Sequence, residues 1–494
     1  MRVPRIRRAR LAAAGLALAT AGSIALPAGT AAAAGSDAPA AGPLLSYVVN
    51  TQADHGQVKK AEKEITKAGG TVVYAYEQIG VVIARSADTG FAARLRHVRG
   101  IDSVGASRTA GIVAADVEST VERVSAGATP TDGSEPLWAN QWDMRQIGVD
   151  KAHETTLGSR RVVVGVLDSG IDAKHEDLAA NVDASLSASC IEGGKPNTDY
   201  NAWQPTTSDH GTHVAGTIAA AKNGKGVEGI APGVRLAAVK VVDDGGFIYP
   251  EYAICGFVWA GEHHFKVTNN SYYIDPWLFN CKSDPDQAAV STAVRRAVAF
   301  SQRNGVLNVA AAGNENYDLA HKTVDPTSPD DTTPAERPID ANCLVLPTEV
   351  PGVVVTSSVG VKGDKSFYST YGKGKVTVAA PGGDSRYQLP DTPDKNGRVL
   401  STVRGGYAYM QGTSMASPHT TGVVALLAST HPWAGPDELR AMLTHQADEH
   451  ACPATYDPSG DGAWKAVCEG GTSNNGFYGA GIINAAKAAQ WWRW

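Results

Sequence analysis

Residues 161–168, with the sequence RVVVGVLD, form a nearly continuous apolar run that ends in a carboxylate, Asp168. Strands of a parallel sheet have this composition because helices cover both faces of the sheet. Comparable runs occupy residues 235–242, 265–271, 306–314, 353–360 and 375–380. Helical segments are predicted between them at residues 210–222, 250–262, 287–303 and 417–430. The alternation favours an α/β domain with three layers and a doubly wound, mostly parallel sheet, whose ligands bind at the carboxyl ends of the strands.

A smaller module precedes this domain. Residues 35–108 contain no cysteine, and their pattern predicts the order strand, helix, strand, strand, helix, strand. The predicted elements are residues 46–50, 56–67, 71–76, 80–85, 90–97 and 101–104. This order matches the ferredoxin-like α+β arrangement. Residues 109–136 are poor in apolar residues and predict an exposed linker that proteases can cut, so the α/β domain spans residues 137–494.

The first 34 residues have the layout of an export signal. Five arginines between residues 2 and 10 precede an apolar stretch over residues 11–26, and small residues follow at 30–35. The apolar stretch is short for a membrane span, so we predict a signal peptide over residues 1–34 and a secreted, extracellular protein. After removal of the signal we expect no membrane association.

The six cysteines all lie after residue 189, and their even number in an exported chain predicts disulfides. Cys452 and Cys468 flank a short polar loop and are the easiest pair to assign. The other four cysteines allow three pairings, and the sequence does not choose among them. No two cysteines have the C-x-x-C spacing, which disfavours zinc.

Three polar residues, Asp168, His210 and Ser414, occupy positions that are suited to catalysis. Asp168 ends a predicted buried strand, where burying a charged side chain costs free energy unless the charge has a partner or a function. His210 opens the helical stretch HGTHVAGT at residues 210–217, and Ser414 lies in GTSMASP at residues 412–418, just before an apolar helix. A serine hydroxyl becomes a good nucleophile when a base takes its proton, and amides at a helix N-terminus stabilise the resulting oxyanion. These residue types are typical of a catalytic triad for acyl transfer.

Two neighbouring residues are predicted to have structural roles. His213 lies one turn after His210, and Ser417 is expected to cap the helix that follows it. The two histidines lack the intervening glutamate of an H-E-x-x-H motif, so no metal ligand is assigned. The G-x-S-x-A motif around Ser414 differs from the G-x-S-x-G elbow of α/β-hydrolases, which disfavours an esterase.

Together, the segments around Asp168, His210 and Ser414 resemble the three signatures of subtilisin-like serine proteases, in that family's order of Asp, His and Ser. A fourth segment, AAAGNE at residues 310–315, resembles the family's oxyanion segment. The resemblance implies a serine endopeptidase in which Ser414 is the nucleophile, His210 the base and Asp168 its orienting partner. It implies that Asn314 donates its side-chain amide to the oxyanion of an acyl-transfer intermediate.

The same resemblance makes the module over residues 35–108 an inhibitory propeptide, an intramolecular partner of a zymogen that processes itself. The family's substrate-binding edge corresponds here to Ser271, Tyr272 and Tyr273, with Gly246 on the opposite rim and Gly313 beside Asn314. The two tyrosines replace residues that leave room for substrate, which predicts a reshaped, narrowed or gated pocket. Polar insertions around residues 183–207, 276–287, 317–350 and 384–399 are expected to be surface loops that can line the cleft.

The remaining partners follow from charge and from the same resemblance. A net charge of −6 over 494 residues gives no basic face for a nucleic acid. We expect peptide or protein substrates, a monomer and no required cofactor. Relatives often hold structural calcium, and Asp177 with the turn at residues 222–224 lies where one such site could form, although no calcium site is assigned. The alternative function is a binding scaffold of the same fold whose proteolysis is restricted or lost.

Overall fold

The structure is a computed structural model that describes residues 41–112, 123–124 and 134–490. The predicted signal peptide, residues 1–34, therefore lies outside the described residues, as do residues 113–122 and 125–133 of the predicted linker. Within the described ranges, no helix is both long enough and apolar enough to cross a membrane.

The N-terminal module has the predicted ferredoxin-like order. Its elements are β1 (Ala41–Thr51), α1 (His55–Lys67), β2 (Thr71–Tyr76), β3 (Val81–Asp88), α2 (Phe91–Arg96) and β4 (Ile101–Ala106). The four strands form an antiparallel sheet in the order β2-β3-β1-β4. Val49 and Val82 face α1 and α2, where they pack with Ile65 and Phe91. The opposite face of the sheet is also apolar and needs a second partner.

The large domain is built on a seven-stranded sheet with the order β11-β10-β9-β8-β5-β7-β6, in which every pairing is parallel. The strands are β5 (Val163–Asp168), β6 (Ala188–Ser189), β7 (Arg235–Lys240), β8 (Val267–Asn270), β9 (Leu307–Ala311), β10 (Val354–Val359) and β11 (Val378–Pro381). All six predicted strands are present, each shorter than its apolar run. The predicted three-layer α/β fold is confirmed.

Helices cover both faces of this sheet. They are α3 (Trp142–Gln146), α4 (Val149–His153), α5 (His210–Ala219), α6 (Pro250–Glu262), α7 (Pro285–Arg303), α8 (Thr413–Thr430), α9 (Pro436–Gln446) and α10 (Ala485–Ala489). Along β5, Val164 and Val166 pack with α5 and α8, whereas Val163 and Leu167 pack with α6 and α7. Because side chains alternate along a strand, Asp168 points to the α5 and α8 side.

The free face of the module sheet lies against α6 and α7. Val48, Val81 and Ile83 belong to the same apolar cluster as the inner residues of those two helices. Polar contacts flank the cluster: Asn50 Nδ2 donates to the Ala289 carbonyl at 2.9 Å, and Arg296 pairs with Asp102 at 2.9 Å. The module is therefore docked on the large domain by an apolar core with a polar border.

A hairpin of β12 (Val399–Val403) and β13 (Gly406–Met410) lies beside α5, and the short strand Arg123–Val124 pairs with β13. These two residues belong to the predicted linker, so that segment is not wholly free of secondary structure. Other short elements are Glu77–Ile79, Trp138–Asn140, Ala184–Leu186, Asn280–Cys281, Val324–Asp325, Arg337–Pro338, Cys343–Leu344, Gly470–Gly471 and Asn474–Asn475.

Disulfides pair all six cysteines. The bridges are Cys190–Cys255, Cys281–Cys343 and Cys452–Cys468, so the pair predicted from its polar loop is confirmed. The bridge Cys281–Cys343 joins two of the predicted insertions to each other.

Candidate active site

Asp168 and His210 meet at the carboxyl end of β5. Asp168 is the last residue of that strand, and His210 is the first residue of α5. His210 Nδ1 lies 2.8 Å from Asp168 Oδ1 and 3.0 Å from Oδ2. The close approach requires Gly211, since a Cβ atom there would lie 2.3 Å from the Gly170 carbonyl oxygen. A nearly fully buried carboxylate therefore holds the imidazole by one nitrogen and leaves Nε2 for other partners.

Opposing effects act on the pKa of His210. Burial disfavours the charged imidazolium, but the negative charge of Asp168 and its hydrogen bond favour it, and the net effect raises the pKa above its usual 6.5. His210 is thus a stronger base than an isolated imidazole.

Ser414 is the second residue of α8, at the N-terminus of an 18-residue helix. Its Oγ donates to the Ser271 carbonyl at 3.2 Å, while Ser271 Oγ donates to the Ser414 carbonyl at 2.9 Å. Within the described part of the chain, no hydrogen bond joins Ser414 to His210. Catalytic hydrogen bonds are often loose without substrate, and a rotation about the Cα–Cβ bond of Ser414 redirects its hydroxyl.

Asn314 follows β9 and contacts the start of α8. Its Oδ1 accepts from both the backbone N–H and the hydroxyl of Thr413, each at 2.9 Å. This fixes the amide plane and leaves Nδ2 without a hydrogen-bond partner among the residues described. A Cβ atom added to Gly412 would lie 3.5 Å from the Ser414 nitrogen and 3.6 Å from Asn314 Nδ2. The Ser414 nitrogen and Asn314 Nδ2 therefore lie on the same side of Gly412, at the start of α8.

The structural role predicted for His213 agrees with its surroundings. His213 is fully buried, and its Nε2 lies 3.1 Å from the Ala408 carbonyl oxygen and 3.2 Å from that of Val399. Burial, with a smaller effect from His210, lowers the pKa of His213 to about 3. His213 therefore remains neutral and links α5 to the hairpin.

The capping role predicted for Ser417 is wrong. Helix α8 begins at Thr413, so Ser417 lies inside the first turns, where its hydroxyl donates to Asn269 Oδ1 at 2.8 Å. The helix begins earlier than predicted because Asn314, which is distant in sequence, accepts from its first N–H.

A pocket of about 300 Å³ opens beside Ser414. Every residue predicted to bind substrate lines it, namely Ser271, Tyr272, Tyr273, Gly246 and Gly313. The tyrosines do not fill it, because the Tyr272 hydroxyl donates to Asn270 Oδ1 at 2.9 Å and the Tyr273 hydroxyl donates to Asp330 Oδ2 at 2.6 Å. The two tyrosines therefore line the pocket without closing it.

The insertions supply part of the pocket wall, as expected. Leu278, Asp330 and Val345 come from the predicted loops at residues 276–287 and 317–350, and Asp275 precedes the first of them. None of these residues was predicted from the sequence to line the site. The only sequence feature that stands out among them is the pair Asp330-Asp331 in a polar loop. A pair of acidic residues in a loop does not reveal that the loop folds toward the active site.

A separate buried polar cluster surrounds Asp177. Asp177 Oδ2 accepts from the Val227 N–H at 3.1 Å, and Glu135 Oε1 accepts from the Gly224 N–H at 2.9 Å. Asp177 Oδ1 and Glu135 Oε2 are buried and have no hydrogen-bond partner among the described residues. Burial raises the pKa of Asp177 to about 7 and that of Glu135 above its usual value. Glu135, within the predicted linker, was not anticipated as a neighbour of Asp177.

Comparison with known proteins places this site in a family. A sequence model of the subtilase family, peptidase S8, matches residues 159–481, which include Asp168, His210, Asn314 and Ser414. The chain belongs to the subtilase family. Subtilases are serine endopeptidases, so the protein is a hydrolase of peptide bonds in class.

Characterised relatives are similar over the same region. Subtilisin NAT from Bacillus subtilis subsp. natto is 30% identical over 350 residues, which is 71% of each chain. Fervidolysin from Fervidobacterium pennivorans is 30% identical over 345 residues, or 66% of this chain and 43% of fervidolysin. The subtilase described here thus spans less than half of fervidolysin.

Solved structures show the same fold. The epidermin leader peptide processing serine protease EpiP from Staphylococcus aureus superposes with a TM-score of 0.67 at 21% identity, covering 90% of this chain and 98% of EpiP. Crystalline fervidolysin gives a TM-score of 0.59 at 24% identity, covering 90% of this chain and 61% of fervidolysin. At these identities the likeness concerns the fold alone.

Proposed function

We propose that this subtilase is a secreted serine endopeptidase, made as a zymogen, in which Ser414, His210 and Asp168 form the catalytic triad. The observation that carries the proposal is the Asp168–His210 hydrogen bond at the start of α5, together with Ser414 at the N-terminus of α8, the helix that packs against α5. Ser414 attacks the scissile carbonyl, and His210 takes its proton and returns it to the leaving amine. Asp168 holds the imidazole tautomer and stabilises its charged form. Water then hydrolyses the acyl-enzyme.

The negative charge that develops on the carbonyl oxygen needs donors. The Ser414 backbone N–H and Asn314 Nδ2 are proposed to supply them, since both lack partners within the described residues and lie near Gly412. Gly246, Ser271, Tyr272, Tyr273 and Gly313 are proposed to bind substrate on either side of the pocket. An extended peptide that pairs with such an edge gains backbone hydrogen bonds, and its side chains enter the pockets.

The docked module is proposed to act as the inhibitory propeptide. Its last strand leads into Arg108, whose guanidinium pairs with Glu251 at 2.6 Å and lies 3.6 Å from the centre of the Tyr249 ring. The Thr109 and Ala110 N–H groups then donate to Asp331 at 2.8 and 3.0 Å. Asp331 follows Asp330 of the pocket, so the segment after the module is anchored next to the substrate-binding region.

Among the described residues no group of three or more His, Cys, Asp or Glu side chains could hold a metal ion, so a calcium ion at Asp177 would depend on Glu135 together with backbone or water oxygens. Calcium prefers carboxylate and carbonyl oxygens, and here two buried carboxylate oxygens, Asp177 Oδ1 and Glu135 Oε2, lack a donor in the described part of the chain. A cation beside them would favour their ionised forms and oppose the effect of burial. We propose a stabilising role for this site and no role in the chemical step.

The zymogen proposal is tested by the mass of the product. Residues 35–494 are expressed as wild type and as Ser414→Ala, and intact mass is followed with time. We expect the wild type to lose the module through a cut between residues 104 and 137, and the variant to keep its full mass. A Glu251→Gln variant should still be cut but should show proteolysis earlier, because the Arg108 anchor is weakened. A folded wild type that keeps its full mass and cleaves no peptide in a library would favour the binding-scaffold alternative.

Asn314→Ala is expected to lower kcat by roughly 10²- to 10³-fold with little change in KM, because the lost donor acts on the oxyanion of the transition state. Steady-state hydrolysis of one peptide substrate measures this. Asn201→Ala, at an exposed asparagine outside the pocket lining, is the control and should retain activity within a few-fold. Equal losses in both variants would assign Asn314 a merely structural role.

The pH dependence follows from the direction of the His210 shift. His210 must be neutral to accept a proton, and Asp168 raises its pKa above 6.5. We therefore expect kcat/KM to fall as the pH drops below that raised pKa, by about tenfold per pH unit. A kcat/KM profile between pH 4 and 10 is the measurement. An acidic limb centred below pH 6 would contradict the raised pKa.

A further inference from the structure

The pocket beside Ser414 carries an excess of negative groups. Asp275, Glu315 and Asp330 line it, and no Lys, Arg or His is among its described lining residues. Glu315 belongs to the rim, where its carboxylate accepts from the Asn314 N–H at 2.8 Å. Asp275 and Asp330 belong to the wall that the insertions supply. The carboxylates therefore have no cationic side chain of the pocket to neutralise them.

Asp275 and Asp330 are constrained by their surroundings. Asp275 is only 5% exposed, and its Oδ2 accepts from the Ile248 N–H. Asp330 Oδ2 accepts from the Tyr273 hydroxyl, and the Asp275 and Asp330 carboxyls hydrogen-bond to each other. Burial and then the neighbouring Asp330 raise the pKa of Asp275, and burial raises the pKa of Asp330, so the pair holds a proton when the pocket is empty. A cation beside the pair would replace that proton and stabilise both ionised forms.

Part of the pocket wall is apolar. Ala311 and Ala312 line it near the Asn314 loop, and Leu278 and Val345 line it on the side of the insertions. An aliphatic stem can pack on these side chains while its charged end reaches the carboxylates, as the stems of Lys and Arg do at protein surfaces. A short or wholly apolar side chain would offer the two carboxyls no charge partner, and an acidic one would be repelled.

We propose that this pocket selects a basic residue, Arg or Lys, on the acyl side of the scissile bond. The proposal rests on the proposed endopeptidase function, because it takes Ser414 as the nucleophile at the mouth of the pocket. Asp330 and Asp275 bind the cationic end, and the Tyr273 hydroxyl fixes the Asp330 carboxylate. The selected substrates are thus peptides cut after a basic residue.

Peptides that differ only at this residue test the proposal in the processed wild type. The residues compared are Arg, Lys, Leu and citrulline, which has nearly the shape of Arg without its charge. We expect kcat/KM for Arg to exceed that for citrulline by about 10- to 100-fold, since a charged hydrogen bond is lost. Equal values for Arg and citrulline would overturn the proposal. This comparison needs no variant, so it does not depend on how a substitution folds.

A substitution and its control test whether Asp330 is responsible for the preference for Arg. Asp330→Asn should lower kcat/KM for Arg by at least about tenfold and leave that for Leu within a few-fold. Asp340→Asn is the matched control, because Asp340 lies exposed in the same insertion outside the pocket lining. Equal losses for Arg and Leu in Asp330→Asn, or equal losses in the control, would overturn the assignment of Asp330.

A binding measurement tests the pocket independently of peptide hydrolysis. The fluorescent amidinium p-aminobenzamidine, which is not a peptide and is not turned over, is titrated into the processed wild type, or into the full-length wild type if no processing occurs. Binding that weakens at least tenfold in Asp330→Asn supports a cation site even if no peptide is hydrolysed, in which case only the proposed function fails. Absence of binding overturns the pocket proposal even if peptides are hydrolysed.

Discussion

Ser414→Ala is expected to abolish peptide hydrolysis, with a loss of kcat on the order of 10⁶-fold, the size of the effect when the nucleophile of subtilisin is removed. The other hydroxyls near this position, those of Ser271 and Thr413, donate to the Ser414 carbonyl and to Asn314 Oδ1, so they are not expected to replace Ser414 in forming the ester bond. The Asp168–His210 pair and the two N–H donors remain, so a small residual rate above that of water is expected. Hydrolysis of a chromogenic peptide by wild type and variant measures the loss.

Labelling by a fluorophosphonate shows which hydroxyl reacts. The label should appear on the wild type and be absent from Ser414→Ala. Ser417→Ala is the matched control on the same helix, where it removes a buried hydrogen bond to Asn269 and should cost stability of about 1–3 kcal/mol while keeping the label. Labelling that persists in Ser414→Ala would refute the assignment of the nucleophile.

Asp168→Asn is expected to lower kcat by about 10⁴-fold, although the two side chains have nearly the same shape. The carboxylate accepts the Nδ1–H of His210, which leaves Nε2 as the base. An amide can instead donate to Nδ1 and stabilise the other tautomer, whose Nε2 carries the proton and cannot accept one. The loss should therefore appear in kcat more than in KM.

The same variant makes a prediction about pH with a definite sign. Asp168 opposes the effect of burial on His210, so its replacement by a neutral amide lowers the pKa of His210. The acidic limb of the residual activity should therefore move to lower pH than in the wild type. Asp172→Asn, in the loop after β5, is the control and should leave both kcat and the limb unchanged. A limb that stays in place would argue against the role of Asp168 in setting this pKa.

Local sequence patterns predicted most of the architecture. Strands β5 and β7 are buried and largely apolar, and their composition predicted them, whereas β8 has the sequence VTNN and buries three polar residues. The ferredoxin-like module was predicted almost element by element, since its strands and helices have a clear periodicity. Helix α9 was missed because it is a surface helix with few buried residues, Leu439, Leu443 and Gln446.

Features that depend on distant contacts were not predictable in the same way. The start of α8 is set by Asn314 Oδ1, which is contributed by a strand end 99 residues earlier, so the local sequence carries no capping residue there. The pairings Cys190–Cys255 and Cys281–Cys343 could not be chosen from spacing, because they depend on how the insertions fold over α6 and β9.

The sequence by itself determined the layers of the fold and the residue types of the site, because burial and backbone periodicity are local properties that each segment records. It also pointed to Asp168, His210, Ser414 and Asn314 through their motifs. Only the tertiary structure decided that Asp275 and Asp330 converge on the pocket beside Ser414. Their approach depends on the packing of two insertions that a disulfide joins, and no local pattern encodes a contact between segments so far apart in the chain.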